Sequence, residues 1–182
     1  MSLFLWAQTL TFNSAQELKS RIKAESGPIS VQTPEKWEAF NTELADQNEV
    51  LFLQTPEDAE HETTVSVSLY RFTGKFNDLV RKQNYHLLVW EEGPVLVNQA
   101  LKLRGVTGHK WMYREKSDSG VEQLYYRLYL LLPESVGERR LLFLQGVTND
   151  VDSTRALPLF NGLARSLSWG LTTEFPVSES QE

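Results

Sequence analysis

The sequence predicts an α+β fold, a sandwich built on a largely antiparallel central sheet. Three observations carry this: strand patterns follow one another through the second half of the chain with turn signals between them, helical periodicity brackets them at both ends, and the composition is that of an ordinary globular domain. With 182 residues, 41% hydrophobic and 23% charged, the chain falls outside the disordered and collagen-like classes and predicts one domain.

Composition separates an N-terminal helical extension (1–26), a core domain (27–171) and a polar tail (172–182) expected to be mobile. In the extension, Ser14 and Glu17 have capping-box spacing, and Leu18 and Ile22 share a helical face, so a short amphipathic helix is expected there. Gly27-Pro28 ends it, and Ile29-Ser30-Val31 alternates as a brief strand. Thr33-Pro34 then offers a cap with proline at the first helical position. Trp37, Phe40 and Leu44 follow at spacings of three and four, predicting a helix from Pro34 to Ala45.

Asn48 to Leu53 reads as the entry to a strand, and a polar loop runs from Thr55 to Glu62. Val65, Val67 and Leu69 alternate with Ser66, Ser68 and Tyr70, the period of a strand with one face on a core. Helical spacing returns at Phe76, Leu79 and Val80, with Lys75, Arg81 and Lys82 off the stripe, which predicts a helix from Lys75 to Gln83. From there the pattern is strands: Leu87 to Trp90, Val95 to Val97, Ala100 to Arg104, Lys110 to Arg114, Val121 to Leu132 and Arg140 to Gly146. Glu91-Glu92-Gly93-Pro94 and Ser117-Asp118-Ser119-Gly120 are turn signals, the second joining an antiparallel hairpin. Asp152-Ser153 caps a closing helix that carries Leu157, Phe160, Leu163, Ala164 and Leu167 on one side. Pro158 is then expected in that helix's first turn.

Charge and composition exclude several function classes. There are 24 acidic against 18 basic residues, a formal charge of −6, and the basic residues are scattered among carboxylates, which argues against nucleic-acid binding. The longest apolar stretch, Leu128 to Pro133, is far too short to span a bilayer, so a soluble protein is expected. The apolar start, Met1 to Ala7, lacks the basic region and length of an export signal. As written the chain reads as cytoplasmic, with a periplasmic or lumenal home as the alternative if an export signal was trimmed. The complete lack of cysteine rules out disulfides, thiolate zinc, iron–sulfur clusters and a cysteine nucleophile.

No residue constellation identifies a reaction. His61, His86 and His109 do not form the HxxH or HExxH spacing that puts two ligands on one helical face. The acidic loop Glu57 to Glu62 lacks the turn glycine and ligand alternation of a calcium loop and reads as solvated. Adjacent Glu91 and Glu92 would point to opposite sides of a strand and cannot flank one bond. There is no G-x-S-x-G elbow, and Ser166 and Ser168 sit at a helix end. Gly105 to Lys110 has the wrong spacing for a phosphate loop. Its G-x-x-G with Arg104 and Lys110 resembles the clamp of KH domains, but here it joins two strands, and glycines shaping a tight connection are the plain explanation. No cofactor and no metal are expected. An enzyme reading would need His86 or His109 beside a carboxylate brought close by folding, as in a hydrolase or small-ligand enzyme.

The aromatic residues are more informative. In the long strand Val121 to Leu132, the side chains of Leu124, Tyr126, Leu128 and Leu130 point one way, and those of Tyr125, Arg127, Tyr129 and Leu131 the other. Something must cover each face. Either helices of the sandwich do so, or Tyr125, Arg127 and Tyr129, with Trp111 and Tyr113 nearby, form a partner-binding surface of the residue types that dominate binding hot spots.

Several segments in order resemble the PsbP-like superfamily, in particular its DcrB-like bacterial branch. They are Pro34-Glu35-Lys36-Trp37, Val65 to Leu69, Phe76 to Val80, Leu101 to Gly105 with Gly108 and Tyr113, the pair Tyr125 to Leu131 and Leu141 to Leu144, and Ala164 to Leu167. The resemblance spans 29–171 and implies an α/β/α sandwich with helices on both faces of an antiparallel sheet. It also implies a non-enzymatic role in binding other proteins, as adaptor, assembly factor or chaperone. Members of the superfamily include extrinsic photosystem subunits, a Ran-binding protein, envelope proteins and secretion chaperones. Two features depart from that pattern: the helix expected before the first strand, and the helical spacing of Trp37, Phe40 and Leu44 where the family has a shorter turn. No functional residue set transfers, because the branches share none.

Overall fold

A computed structural model describes residues 18–23, 29–44, 48–89, 93–134 and 139–169. In chain order the elements are β1 (Leu18–Lys23), β2 (Ile29–Pro34), β3 (Glu38–Leu44), β4 (Asn48–Gln54), β5 (Thr63–Arg71), α1 (Phe76–Val89), β6 (Val95–Leu103), β7 (Val106–Lys116), β8 (Glu122–Leu131), β9 (Arg140–Thr148), α2 (Ser153–Ser166) and β10 (Ser168–Trp169). A seven-stranded sheet runs in the order β3-β4-β5-β9-β8-β7-β6, and a three-stranded sheet in the order β1-β2-β10. Every pairing is antiparallel. With α1 on one face of the large sheet and α2 with the small sheet on the other, the architecture is the α/β/α sandwich.

Period-two alternation decides which side chains enter the core. The register sets Leu128 opposite Leu144 and Leu130 opposite Leu142, and Val67 opposite Leu144 on the next strand, so one apolar face runs unbroken across the middle of the sheet. Helix α2 lies on it with Ala156, Phe160, Leu163 and Ala164 buried, joined by Ile29 and Val31 of β2. Gly146 is what lets the helix approach, since a Cβ at that position would run into the Phe160 ring. The ring then stacks on Tyr126, with centroids 5.2 Å apart. Asp152 caps α2 by accepting the Thr154 amide at 2.9 Å, and its hydrogen bonds to the Thr154 hydroxyl and amide hold its carboxyl below the ordinary value.

The far end of α2 is tied down from β6 and β7. These strands join through Arg104-Gly105, with φ of 51° and 81°, the two left-handed residues of a type I′ turn. The turn aims the Arg104 guanidinium at the last helical carbonyls, donating to Leu167 O and Arg165 O, each at 2.8 Å. Those carbonyls lack partners within the helix and carry its negative dipole end, so a cation completes them. Nearby, Lys110 donates to Asn161 Oδ1 at 3.2 Å. The glycine-rich connection therefore joins two strands, as its sequence predicts, and its flanking cations are engaged by the protein's own oxygens.

Four expectations are corrected. Leu18–Lys23, expected in a helix, is strand β1; a spacing of four, as between Leu18 and Ile22, fits a helical face and one side of a strand equally, and pairing with β2 decides. The helix expected from Pro34 to Ala45 is instead the end of β2, a turn with Lys36 at φ 69° and strand β3. There again Phe40 to Leu44 is a spacing of four, and the ladder to β4 wins over local propensity. Leu87 and its neighbours, expected in a strand, form the last turn of α1, which runs on to Val89. Pro158 sits in the second turn of α2, where its missing N–H leaves the preceding turn's carbonyl without its helical donor. The remaining strands match in order, with Val95 to Val97 and Ala100 to Arg104 merging into one strand, β6, that ends at Leu103, and with β7 starting at Val106, inside the segment expected as the connection. The capping box at Ser14 and Glu17, the turn at Glu91-Glu92 and the tail 172–182 lie outside the described residues.

Candidate partner-binding surface

The second face of the large sheet carries the odd-numbered residues of β7, β8 and β9, and its aromatic side chains touch in series. On β7 and β8 the strand register places Tyr113 opposite Tyr125 and Trp111 opposite Arg127. Tyr113 and Tyr125 stack at 5.3 Å, and the Arg127 guanidinium lies 5.0 Å from the Tyr113 ring centroid, a cation–π contact. A second chain of rings runs from His109 to Trp111 (4.3 Å), Trp111 edge-on to Tyr129 (5.6 Å), and Tyr129 stacked on Phe143 of β9 (4.7 Å). Cross-strand aromatic pairs of this kind each add to sheet stability beyond the area they bury.

Helix α1 covers part of this face. Leu87 packs on Trp111 and Tyr113, which are fully buried, with Val80, Tyr125 and Tyr129 at the margin. Asn84 pins the helix: its side-chain oxygen accepts the Trp111 indole N–H at 2.7 Å and an Asn98 amide N–H at 3.1 Å. Asn98 Oδ1 in turn lies 2.7 Å from His109 Nε2. Burial lowers the His109 pKa from its ordinary value, and it raises that of Tyr129, an effect opposed by Arg127 and reinforced by Tyr70.

Beyond α1, no described element lies over β9, β5 and β4 on this side. Here the register aligns Gln145 with Ser66, Phe143 with Ser68 and Leu141 with Tyr70, and sets Ser66 beside Phe52. Ser68 and Leu141 are buried in the floor, whereas Phe52 is 39% exposed and Tyr70, Phe143, Gln145 and Val147 are half-buried. The five residues singled out from sequence thus share one sheet face but divide by depth. Trp111 and Tyr113 form its buried base, and Tyr125, Arg127 and Tyr129 rise to the margin of the uncovered half. Sequence reasoning missed Phe52, Tyr70 and Phe143, which extend the aromatic band. The alternation of Val65 to Tyr70 already placed Tyr70 off the core side, but which strands flank β8 is a matter of long-range pairing.

Histidines occupy different settings. His109 is engaged with an amide and an indole, and His86 is exposed on α1. Carboxylates approach His61 instead, Glu60 at 3.7 Å and Asp150 at 3.9 Å, but at the protein surface, where Arg155 already binds Asp150 at 3.1 Å. This cluster fastens the 55–62 loop to the start of α2. Among the described residues no group of His, Cys, Asp and Glu converges as a metal site, and no helix is long and apolar enough to cross a membrane.

No protein-family model and no curated protein matches the chain. Solved structures do. LpqN of Mycobacterium tuberculosis, described as involved in cell envelope biogenesis, is similar with a TM-score of 0.58 at 13% identity, covering 82% of this chain and 88% of its own. Cyanobacterial PsbP from Synechocystis sp. PCC 6803 follows at 0.53 and 13% identity, covering 83% and 92%. The Ran-binding protein Mog1p of Saccharomyces cerevisiae matches at 0.50 and 12% identity, covering 81% and 93%. At such identities the likeness concerns the fold, and the fold is PsbP-like, as the segments quoted from the sequence imply.

Proposed function

We propose that this chain is a non-enzymatic protein-binding module, an adaptor, assembly factor or chaperone of DcrB-like type, which holds an apolar segment of a partner protein against the uncovered half of its aromatic face. The observation that carries the reading is the band of Tyr129, Phe143, Tyr70 and Phe52, in which Tyr129 and Phe143 stack on each other, Tyr70 and Phe143 stay half-buried and Phe52 is exposed. Rigid aromatic side chains lose little conformational freedom on binding and offer large contact areas. Tyr125, Arg127 and Tyr129 would line the near side, with Trp111 and Tyr113 holding them from below. A fold shared with a Ran-binding protein supports the reading.

The test is site-specific photo-crosslinking in the native host. A photoreactive phenylalanine analogue replacing Phe52 or Tyr125 should capture one defined protein, and the same probe at exposed Asp118, in the turn between β7 and β8, should not. The product should vanish when Phe143→Ser is added in a chain whose circular dichroism is unchanged. Equal capture from all three positions, or none from the face, would refute the proposal.

A further inference from the structure

Among the described residues β6 is an edge of the large sheet, and it differs from the opposite edge in charge. Strand β3 carries Glu38 and Glu43, whereas β6 is uncharged from Val95 to Leu101, with Lys102 as its one ionic side chain. Long apolar edges without charges invite pairing with another strand, and proteins normally blunt them. In the type I′ turn at Arg104-Gly105 the flanking Leu103 and Val106 exchange backbone bonds, so by alternation the backbone groups of Asn98, Ala100 and Lys102 face away from β7. The side chains of Val97, Leu101 and Leu103 touch the core yet remain only partly buried.

A second observation points to the same place. Tyr85 (65%), Leu88 (81%) and Val89 (51%) of α1 and Val95 and Leu96 (both 38%) of β6 are exposed. Leu88 is one helical turn beyond Asn84, which bonds to Asn98. Because α1 and β6 run in opposite directions, that turn carries Leu88 toward Leu96, and the exposed residues form one apolar patch along the β6 edge.

We infer that β6 pairs antiparallel with β6 of a second copy of this chain about a twofold axis at Gln99, joining two sheets into one. This register uses the regular part of the strand, beyond the bulge between Val95 and Val97. Asn98 and Ala100 of each copy exchange backbone bonds with Ala100 and Asn98 of the other, and Val97 meets Leu101 on the core side. No like charges fall opposite one another, so a chain of net charge −6 can approach its copy here. The two α1 helices flank the seam on the same side, where Leu88 and Leu96 lose their exposure. A foreign strand would find no charge on this edge to select it, whereas the edge is complementary to itself.

Sedimentation equilibrium across a concentration series tests the inference. The wild-type chain should shift from 20.9 kDa to twice that mass. Gln99→Lys, which sets two ammonium groups face to face on the axis, should weaken the dimer at least about fivefold. An equal mixture of Gln99→Lys and Gln99→Glu chains should restore it, a recovery that misfolded variants cannot give. Leu88→Asp, on a fully solvated helix face, should weaken it as well. A single-chain mass at every concentration, or a dimer indifferent to Gln99→Lys, would overturn it.

Discussion

The two faces of the large sheet are built from the same strands but closed differently. On the core face, α2 and the small sheet bury the apolar layer of β5, β8 and β9, and the few polar groups at its rim, such as Asn161, are held by Lys110 and Tyr126. On the other face, among the described residues, α1 covers the β7 and β8 half, through one buried leucine and an amide that two side chains share, and the rest is aromatic and partly open. The difference teaches where binding capacity resides. A face sealed by aliphatic packing has nothing left to offer, whereas a face closed by one polar clasp keeps ordered rings at its margin.

Three perturbations would break or sharpen this contrast. The largest effect belongs to the sealed face: Phe160→Ala removes the ring that fills the space over Gly146 and should cost about 3–5 kcal/mol of stability, read from urea unfolding. A cost similar to that of a surface change would mean α2 does not seal the face. On the half-covered face, Asn84→Ala leaves the buried Trp111 N–H without its acceptor and should cost about 1–3 kcal/mol. It should also raise hydrogen exchange across α1 while leaving α2 unchanged, and loss of protection in both helices together would erase the distinction.

The smallest effect is a pH dependence. Burial lowers the His109 pKa below its ordinary 6.5, so on acidification the unfolded chain takes up this proton before the folded one. Stability should therefore fall as pH drops below about 6.5 and level off once the folded imidazole is also charged. His109→Gln, which keeps a donor for Asn98, should flatten that part of the curve relative to wild type. His61 and His86 are common to both proteins and cancel in the difference.

How far each element was legible follows from the spacing of its apolar residues. Val65 to Leu69 and Leu124 to Leu130 alternate strictly, a pattern no helix satisfies, and both are strands. Leu157 to Leu167 mixes spacings of three and four over several turns, behind an aspartate cap, and it is a helix. Leu18 with Ile22, and Phe40 with Leu44, each offer a spacing of four that suits either structure, and both fell to the strand because a partner strand was at hand. For the candidate surface, alternation alone put Tyr125, Arg127 and Tyr129 on one side of β8. Phe143, Tyr70 and Phe52 joined them only through pairing across β9, β5 and β4.

By itself, then, the chain's order of residues determined the sandwich class, the aliphatic and aromatic sides of its longest strands, the cap of α2 and a tight glycine-shaped connection after Arg104, because these depend on periods and backbone preferences spanning a few residues. Tertiary structure alone decided that, among the described residues, α1 lies over Trp111 and Tyr113, the neighbouring half of that face is left uncovered and β6 ends the sheet. Those outcomes come from hydrogen-bond ladders and packing between segments far apart in the chain, where a helix can seat on one pair of strands or the next without any change in its own local pattern.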